Sequence, residues 1–182
     1  MLEPSAKTDL RRAVAARRRA RPAPDRDAVA VALCERVLSL PEVASADTVA
    51  AYASYPSEPG TGPLRAALRE RGTTVLLPVL LADGDLEWVV DGDPATGLGR
   101  SAVARAEVVV CPATAVTAGG ARLGKGGGSY DRALARVPAS TLSVALVHDD
   151  EIVDDVPTQA HDVDVDVVVT PHRTLRRGRS AG

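Results

Sequence analysis

The sequence predicts an α/β fold, three layers αβα around a mainly parallel sheet with an added hairpin. Three observations carry this. Short apolar, β-branched runs at Thr73 to Leu80, Glu107 to Cys111, Thr141 to Val147 and Val165 to Val169 read as buried strands. Helical patterns alternate with such runs, which implies parallel neighbours with crossover helices on both faces. Asp83-Gly84 supplies a tight turn into a further strand, Leu86 to Val90, and so the hairpin. No internal repeat or low-complexity linker divides the 182 residues, so a single domain over 1–182 is expected.

The elements follow in order. Ser5 is placed to cap a helix reaching about Ala20, which Pro22 and Pro24 end. Asp25 then caps a second helix carrying Val29, Leu33, Val37 and Leu40 at helical spacing. Residues 1–40 are thus a helical pair expected to pack on the sheet domain. Thr48 to Ala53 reads as a strand and Tyr55 to Gly60 as a Pro/Gly-bounded loop. Thr61 as N-cap, Pro63 in the first turn and Gly72 beyond the last predict a helix over 62–71. Residues 91–100 form a loop, and a longer loop runs from Cys111 to Gly128. Ser129 opens a short helix to about Arg136, and the Arg-rich 173–182 tail is expected to fray.

Composition excludes several function classes. Hydrophobic residues are 45% and charged residues 25% of the chain, an ordinary globular balance. The net charge of −2 is too close to neutral for a generic polyanion binder. With one Trp, three Tyr and no Phe, stacking platforms for single-stranded nucleic acid are not available and the core must be built from Val, Leu and Ala. No apolar run approaches the roughly 18 residues a membrane helix needs. The Arg-rich start has no apolar stretch of the signal-peptide kind. A soluble, cytoplasmic protein is expected, with Cys34 and Cys111 as reduced, buried thiols, a disulfide between them remaining open. Of the 22 basic residues only Lys7 and Lys125 are lysine.

The most informative stretch is Arg122-Leu-Gly-Lys-Gly-Gly-Gly-Ser-Tyr-Asp131, with four glycines between Gly124 and Gly128. Each glycine costs roughly 0.5–1 kcal/mol against alanine where the chain is ordered. Close approach of backbone N–H groups to a phosphate is one reason to accept that cost, with Arg122 and Lys125 adding charge-assisted bonds. A flexible surface loop is the other reading of glycines alone. A standard P-loop is not indicated, because Gly126 stands where the magnesium-binding hydroxyl belongs.

This segment resembles the Arg-Leu-Gly-x-Gly-x-Gly-x-Tyr-Asp signature of the 5-formyltetrahydrofolate cyclo-ligases, also called methenyltetrahydrofolate synthetases. Further likenesses follow the family's order along most of the chain: Lys7-Thr-Asp-Leu10-Arg11, Tyr52 through Thr61 with Glu58, Val108-Val-Val-Cys-Pro112, and His161-Asp162-Val-Asp-Val-Asp166. The resemblance implies cyclisation of 5-formyltetrahydrofolate to 5,10-methenyltetrahydrofolate, with ATP as co-substrate and Mg²⁺ as cofactor.

It also implies roles. ATP would be held by Lys7 and Arg11, which share a helix face at i and i+4, and by Arg122, Leu123, Gly124, Lys125, Gly126, Gly127, Gly128, Ser129 and Tyr130. Lys125 and Tyr130 are the catalytic candidates. Glu58 would accept N–H bonds from the amino-pyrimidine edge of the folate, with Tyr52 beside it. Asp131 and Asp162 are the magnesium candidates, in keeping with an ion that takes one or two carboxylates plus phosphate and water. Arg12, Arg17, Arg18 and Arg19 read as a solvated basic face. His148, His161 and His172 show no triad or metal spacing. The chain departs from the family pattern at Ser129, which replaces a second aromatic, at Val116-Thr117, which replaces Phe-Asp, and after Gly97-Leu-Gly-Arg-Ser101, where Glu-Pro is absent. The expected partners are therefore ATP and a reduced folate, with neither nucleic acid nor membrane, and the expected state is a monomer. The alternative is a non-catalytic relative that binds nucleotide or folate.

Overall fold

The computed structural model describes residues 4–160 and 162–178, with the side chains of 4 and 5 left aside. Its centre is a seven-stranded sheet in the order β3-β2-β1-β4-β7-β8-β9. The strands are β1 (Thr48–Ala50), β2 (Thr74–Leu80), β3 (Leu86–Val90), β4 (Val108–Pro112), β7 (Leu142–Leu146), β8 (Val167–Val169) and β9 (Thr174–Arg176). A separate two-stranded ladder joins β5 (Ala115–Val116) to β6 (Arg122–Leu123). The five inner strands are parallel, with registers such as Val49 opposite both Val75 and Val108, and Val110 opposite Val144. The outermost strands, β3 and β9, are antiparallel to their neighbours.

Period-2 alternation sorts the strand side chains into two cores. Val108, Val110, Val144 and Leu146 pack with Leu33 and Val37 of α2 (Ala23–Leu38), Val43 of α3 (Pro41–Ser45), and Leu64 and Leu68 of α4 (Gly62–Glu70). Val109, Cys111 and Ala145 face the other way. They meet Trp88, Ala102 and Val103 of a 3-10 turn at Arg100–Arg105, and Ala133 and Leu134 of α5 (Ser129–Leu134). The result is helix, sheet and helix in three layers, as the alternation of patterns implies. Valine, leucine and alanine supply most of the core, with Trp88 fully buried among them. Cys34 and Cys111 are free and buried.

Several boundaries differ from the sequence reading. Helix α1 spans Pro4–Ala20, so Ser5 lies inside it. Helix α2 starts at Ala23 after Pro22; Pro24 and Asp25 occupy its first turn, where proline costs no hydrogen bond. The two helices also take separate places. Helix α2 lies in the α2/α4 layer, whereas Leu10 of α1 packs against Ala115, Leu123 and Val156 beside the small ladder. Thr61 precedes α4, but its hydroxyl donates to the Tyr52 carbonyl. Strand β1 stops at Ala50, and β2 is buried only at Val75 and Leu76, with Val79 and Leu80 exposed beyond. Helix α5 ends at Leu134, two residues short of the expected end. The tail expected to fray from Arg173 carries β9, which completes the sheet edge by pairing with β8; residues 179–182 lie outside the described residues.

Candidate active site

A cleft of about 580 Å³ opens at the carboxyl ends of β1 and β4, the place where open α/β sheets bind ligands. Chain leaving β1 brings Tyr52, Ala53, Tyr55 and Glu58 to it, and chain leaving β4 brings Pro112, Ala113 and Thr114. Arg122 through Asp131 form one wall and α1 contributes Lys7, Arg11 and Arg18. Pro78, Leu80 and Leu86 of the β2–β3 hairpin make an apolar rim, and Gln159 and Asp162 complete the lining. Every residue singled out from the sequence for binding or catalysis therefore borders one cavity. Five cations face three carboxylates there, which gives the cleft an excess of positive charge suited to a polyanion.

The glycine loop is ordered by bonds from both sides. Arg11 Nε donates to the Gly124 carbonyl at 2.9 Å. Gly126 has φ +114°, and a Cβ there would sit 3.4 Å from the Arg11 guanidinium carbon. Gly128, at φ +65°, is the left-handed residue from which α5 departs. Both positions favour glycine by conformation, since each has a positive φ. Behind the loop, Arg122 is buried and its Nη2 donates to Asp131 Oδ1 at 2.7 Å, an oxygen that also accepts the Val163 N–H. Arg122 Nε and the Tyr130 hydroxyl are buried with no hydrogen-bond partner among the described residues. The fold itself thus leaves a polar group unsatisfied on each of these two wall residues. Burial, with the nearby Cys111 thiol second, holds the Tyr130 hydroxyl well above the usual phenol range, so it remains a proton-bearing donor.

The other predicted residues have partners already. Lys125 reaches across the mouth to Glu58 Oε1 at 2.7 Å, and its ammonium lies 4.4 Å over the Tyr55 ring. The second Glu58 oxygen accepts the Tyr55 N–H at 2.8 Å. Tyr52 donates to the Pro59 carbonyl and so shapes the loop that carries Glu58. Lys7 pairs with Asp162 at 3.6 Å, and Asp162 also accepts the Gln159 N–H. Ser129 borders the cleft, but its hydroxyl donates to the Gly84 carbonyl and ties α5 to the hairpin tip.

Among the described residues no group of three or more His, Cys, Asp or Glu side chains is arranged to hold a metal ion. A cation in this cleft would rest on Asp131 and Asp162 together with ligand oxygens and water, which fits magnesium's sparse use of carboxylates. The hydrogen bonds Asp131 accepts both end on Oδ1.

The model of the 5-formyltetrahydrofolate cyclo-ligase family matches residues 3–171. The chain belongs to that family. A 5-formyltetrahydrofolate cyclo-ligase of Mycolicibacterium smegmatis is 36% identical over 192 residues, spanning 96% of this chain and 98% of its own length. One from Escherichia coli is 31% identical over 156 residues, spanning 76% of this chain and 85% of its own. Two solved structures share the fold. The 5,10-methenyltetrahydrofolate synthetase of Aquifex aeolicus superposes with a TM-score of 0.80 at 24% identity, covering 97% of this chain and 95% of its own. That of Mycoplasma pneumoniae gives 0.78 at 16% identity, covering 91% and 98%.

For this cyclo-ligase the sequence missed part of the wall. Arg18, expected to be solvated with Arg12, Arg17 and Arg19, is 6% exposed and lines the cleft. Its spacing gave a signal: residues 7, 11, 14 and 18 fall on one helical stripe. Thr114, Gln159 and the hairpin's Pro78, Leu80 and Leu86 carry no motif, and only the folded chain brings them to the cavity. His148 is buried and His172 pairs with Asp149 outside the cleft, while His161 lies outside the described residues.

Proposed function

We propose that this chain cyclises 5-formyltetrahydrofolate to 5,10-methenyltetrahydrofolate at the expense of ATP, with Mg²⁺ at Asp131 and Asp162. The carrying observation is the gathering of α1 cations, glycine loop and Glu58 loop around a single cavity in a chain of this family. Magnesium bound at the two carboxylates would neutralise phosphate charge.

A formyl amide is a poor electrophile and its oxygen a poor leaving group. Transfer of the γ-phosphoryl group to that oxygen, with release of ADP, gives an iminium-like phosphate ester. The second folate nitrogen attacks the formyl carbon, its proton is lost, the carbon–oxygen bond breaks and inorganic phosphate departs. Protein contributions to such chemistry are positioning and charge. Lys7, Arg11 and Arg122 bind phosphate oxygens, and backbone N–H groups of Gly124 through Gly128 donate to them. Glu58 accepts N–H bonds from the amino-pyrimidine edge. A folate seated there takes the place of the Lys125 ammonium, which is then available to the transferring phosphoryl group. Tyr130, held in its protonated form, supplies an O–H donor at the reacting oxygen. This reading takes the working unit to be a cytoplasmic monomer.

Protein, magnesium, ATP and 5-formyltetrahydrofolate, followed by the ultraviolet absorbance of the methenyl product, test this. Lys7→Ala and Asp131→Asn are each expected to lower kcat/KM by about tenfold or more, from loss of a charge-assisted contact of roughly 1.5–3 kcal/mol. Unchanged turnover in both variants would reject the assignment. Nucleotide binding with no folate-dependent release of ADP would leave a binding protein in its place.

A further inference from the structure

Helix α1 holds to the domain with little apolar surface. Val14 is buried and Leu10 is packed against the small ladder, while Arg12 and Arg19 face solvent and the exposed Arg17 pairs with Asp150 at 3.1 Å. Its strongest attachment is polar. Arg18 donates from Nε and Nη2 to the two carboxylate oxygens of Glu151, both at 2.7 Å, and from Nη2 to the Ala113 carbonyl, also at 2.7 Å. Glu151, with no exposed surface, accepts a further bond from the His148 N–H at 2.9 Å. Glu151 belongs to a short turn after β7 and Ala113 follows β4, so a single guanidinium ties α1 to the carboxyl ends of two adjacent strands.

Burial of a charged pair is a weak source of stability, because desolvation offsets the attraction. A bidentate fork does something that an apolar contact cannot: it fixes rotation as well as distance. Seven residues earlier on the same helical stripe, Arg11 bonds the Gly124 carbonyl, and eleven residues earlier Lys7 meets Asp162. Each residue advances the helix by 100° and about 1.5 Å, so a slip of one position at Arg18 turns Arg11 off the glycine loop and Lys7 off Asp162.

We propose that Arg18 and Glu151 are positioning residues of the nucleotide site, setting the rotation and height of α1 so that Lys7 and Arg11 face the phosphates. The inference rests on the reading that Lys7 and Arg11 serve the nucleotide, and the experiment separates the two. Full-length Arg18→Met, Arg18→Lys, Arg18→Met/Glu151→Met and Lys7→Ala are compared for affinity toward a magnesium-bound, non-hydrolysable ATP analogue, affinity toward 5-formyltetrahydrofolate, and Tm. Arg18→Met and the double variant are expected to bind the analogue at least tenfold more weakly with folate affinity within twofold of the parent. Arg18→Lys, which keeps the charge and loses the fork, is expected between them and the parent. The double variant, with neither charge left unpaired, should recover most of the Tm lost in Arg18→Met and stay weak for nucleotide; a merely structural pair would recover both together. If Lys7→Ala weakens the analogue while the double variant and Arg18→Lys bind it as the parent does, the positioning role is overturned and the site reading stands. If Lys7→Ala itself binds the analogue normally, both fall.

Discussion

Gly126 has a backbone angle foreign to L side chains, φ +114°, beside the Arg11 guanidinium. Gly126→Ala is therefore expected to weaken Mg-ATP binding about tenfold through roughly 1–2 kcal/mol of strain, read by titration with nucleotide, while folate affinity stays near that of the parent. The thiols give a second residue-level outcome. Burial pushes Cys111 up to about 11 and also raises Cys34. Neither should react with a thiol reagent at pH 8 in the folded protein, and both should react within minutes in denaturant; titration of two fast thiols in the native state would contradict the structure. At this scale the glycine loop's place at the cleft was legible because its composition is extreme. Arg18 was not: its helical stripe can be read, but its partner lies 133 residues away, and nothing local distinguishes a buried arginine from its solvated neighbours.

Among the elements, the β2–β3 hairpin shows how a legible turn acquires a second task. Asp83-Gly84 predicted the turn, and Gly84 indeed takes a positive φ of +81°. Its carbonyl also accepts bonds from Ser129 and Arg132, and Arg132 bonds the Gly127 carbonyl as well. Beside it Asp85 receives two hydrogen bonds from Arg136, which hold its carboxyl well below the usual carboxylate range. Asp85→Ala should lower Tm by several degrees, through a salt-bridge network and the Leu86 N–H bond, as read by thermal unfolding. Elements that escaped the sequence are the shortest ones. Strands β5 and β6 have two residues each, too few to display a period, and α3 has five. Strand β9 carries a single apolar residue between Thr174 and Arg176, so it reads as tail until β8 offers a ladder.

For the whole molecule, His148 links pH to stability. Burial lowers its pKa below the ordinary value of about 6.5. Between the two values the unfolded chain binds more protons than the folded one, so stability rises with pH through that window and falls on acidification below about 6.5. Tm measured from pH 7.5 to 5.5 should decline, and the decline should flatten in His148→Asn. A cleft assembled from α1, the Glu58 loop, the glycine wall and the hairpin also predicts a ligand effect on the entire fold. Mg-ATP at 100 times its Kd adds about 2.7 kcal/mol, or roughly 5–10 °C in Tm for a domain of this size.

The bond between Arg18 and Glu151 has a further consequence in time. A ribosome makes α1 more than a hundred residues before its acidic anchor, so the cations wait without a seat until that anchor emerges. Nascent fragments halted before position 149 should already contain the valine-rich inner strands up to β7 and yet fail to retain nucleotide. Competence to hold nucleotide thus waits for the turn that follows β7.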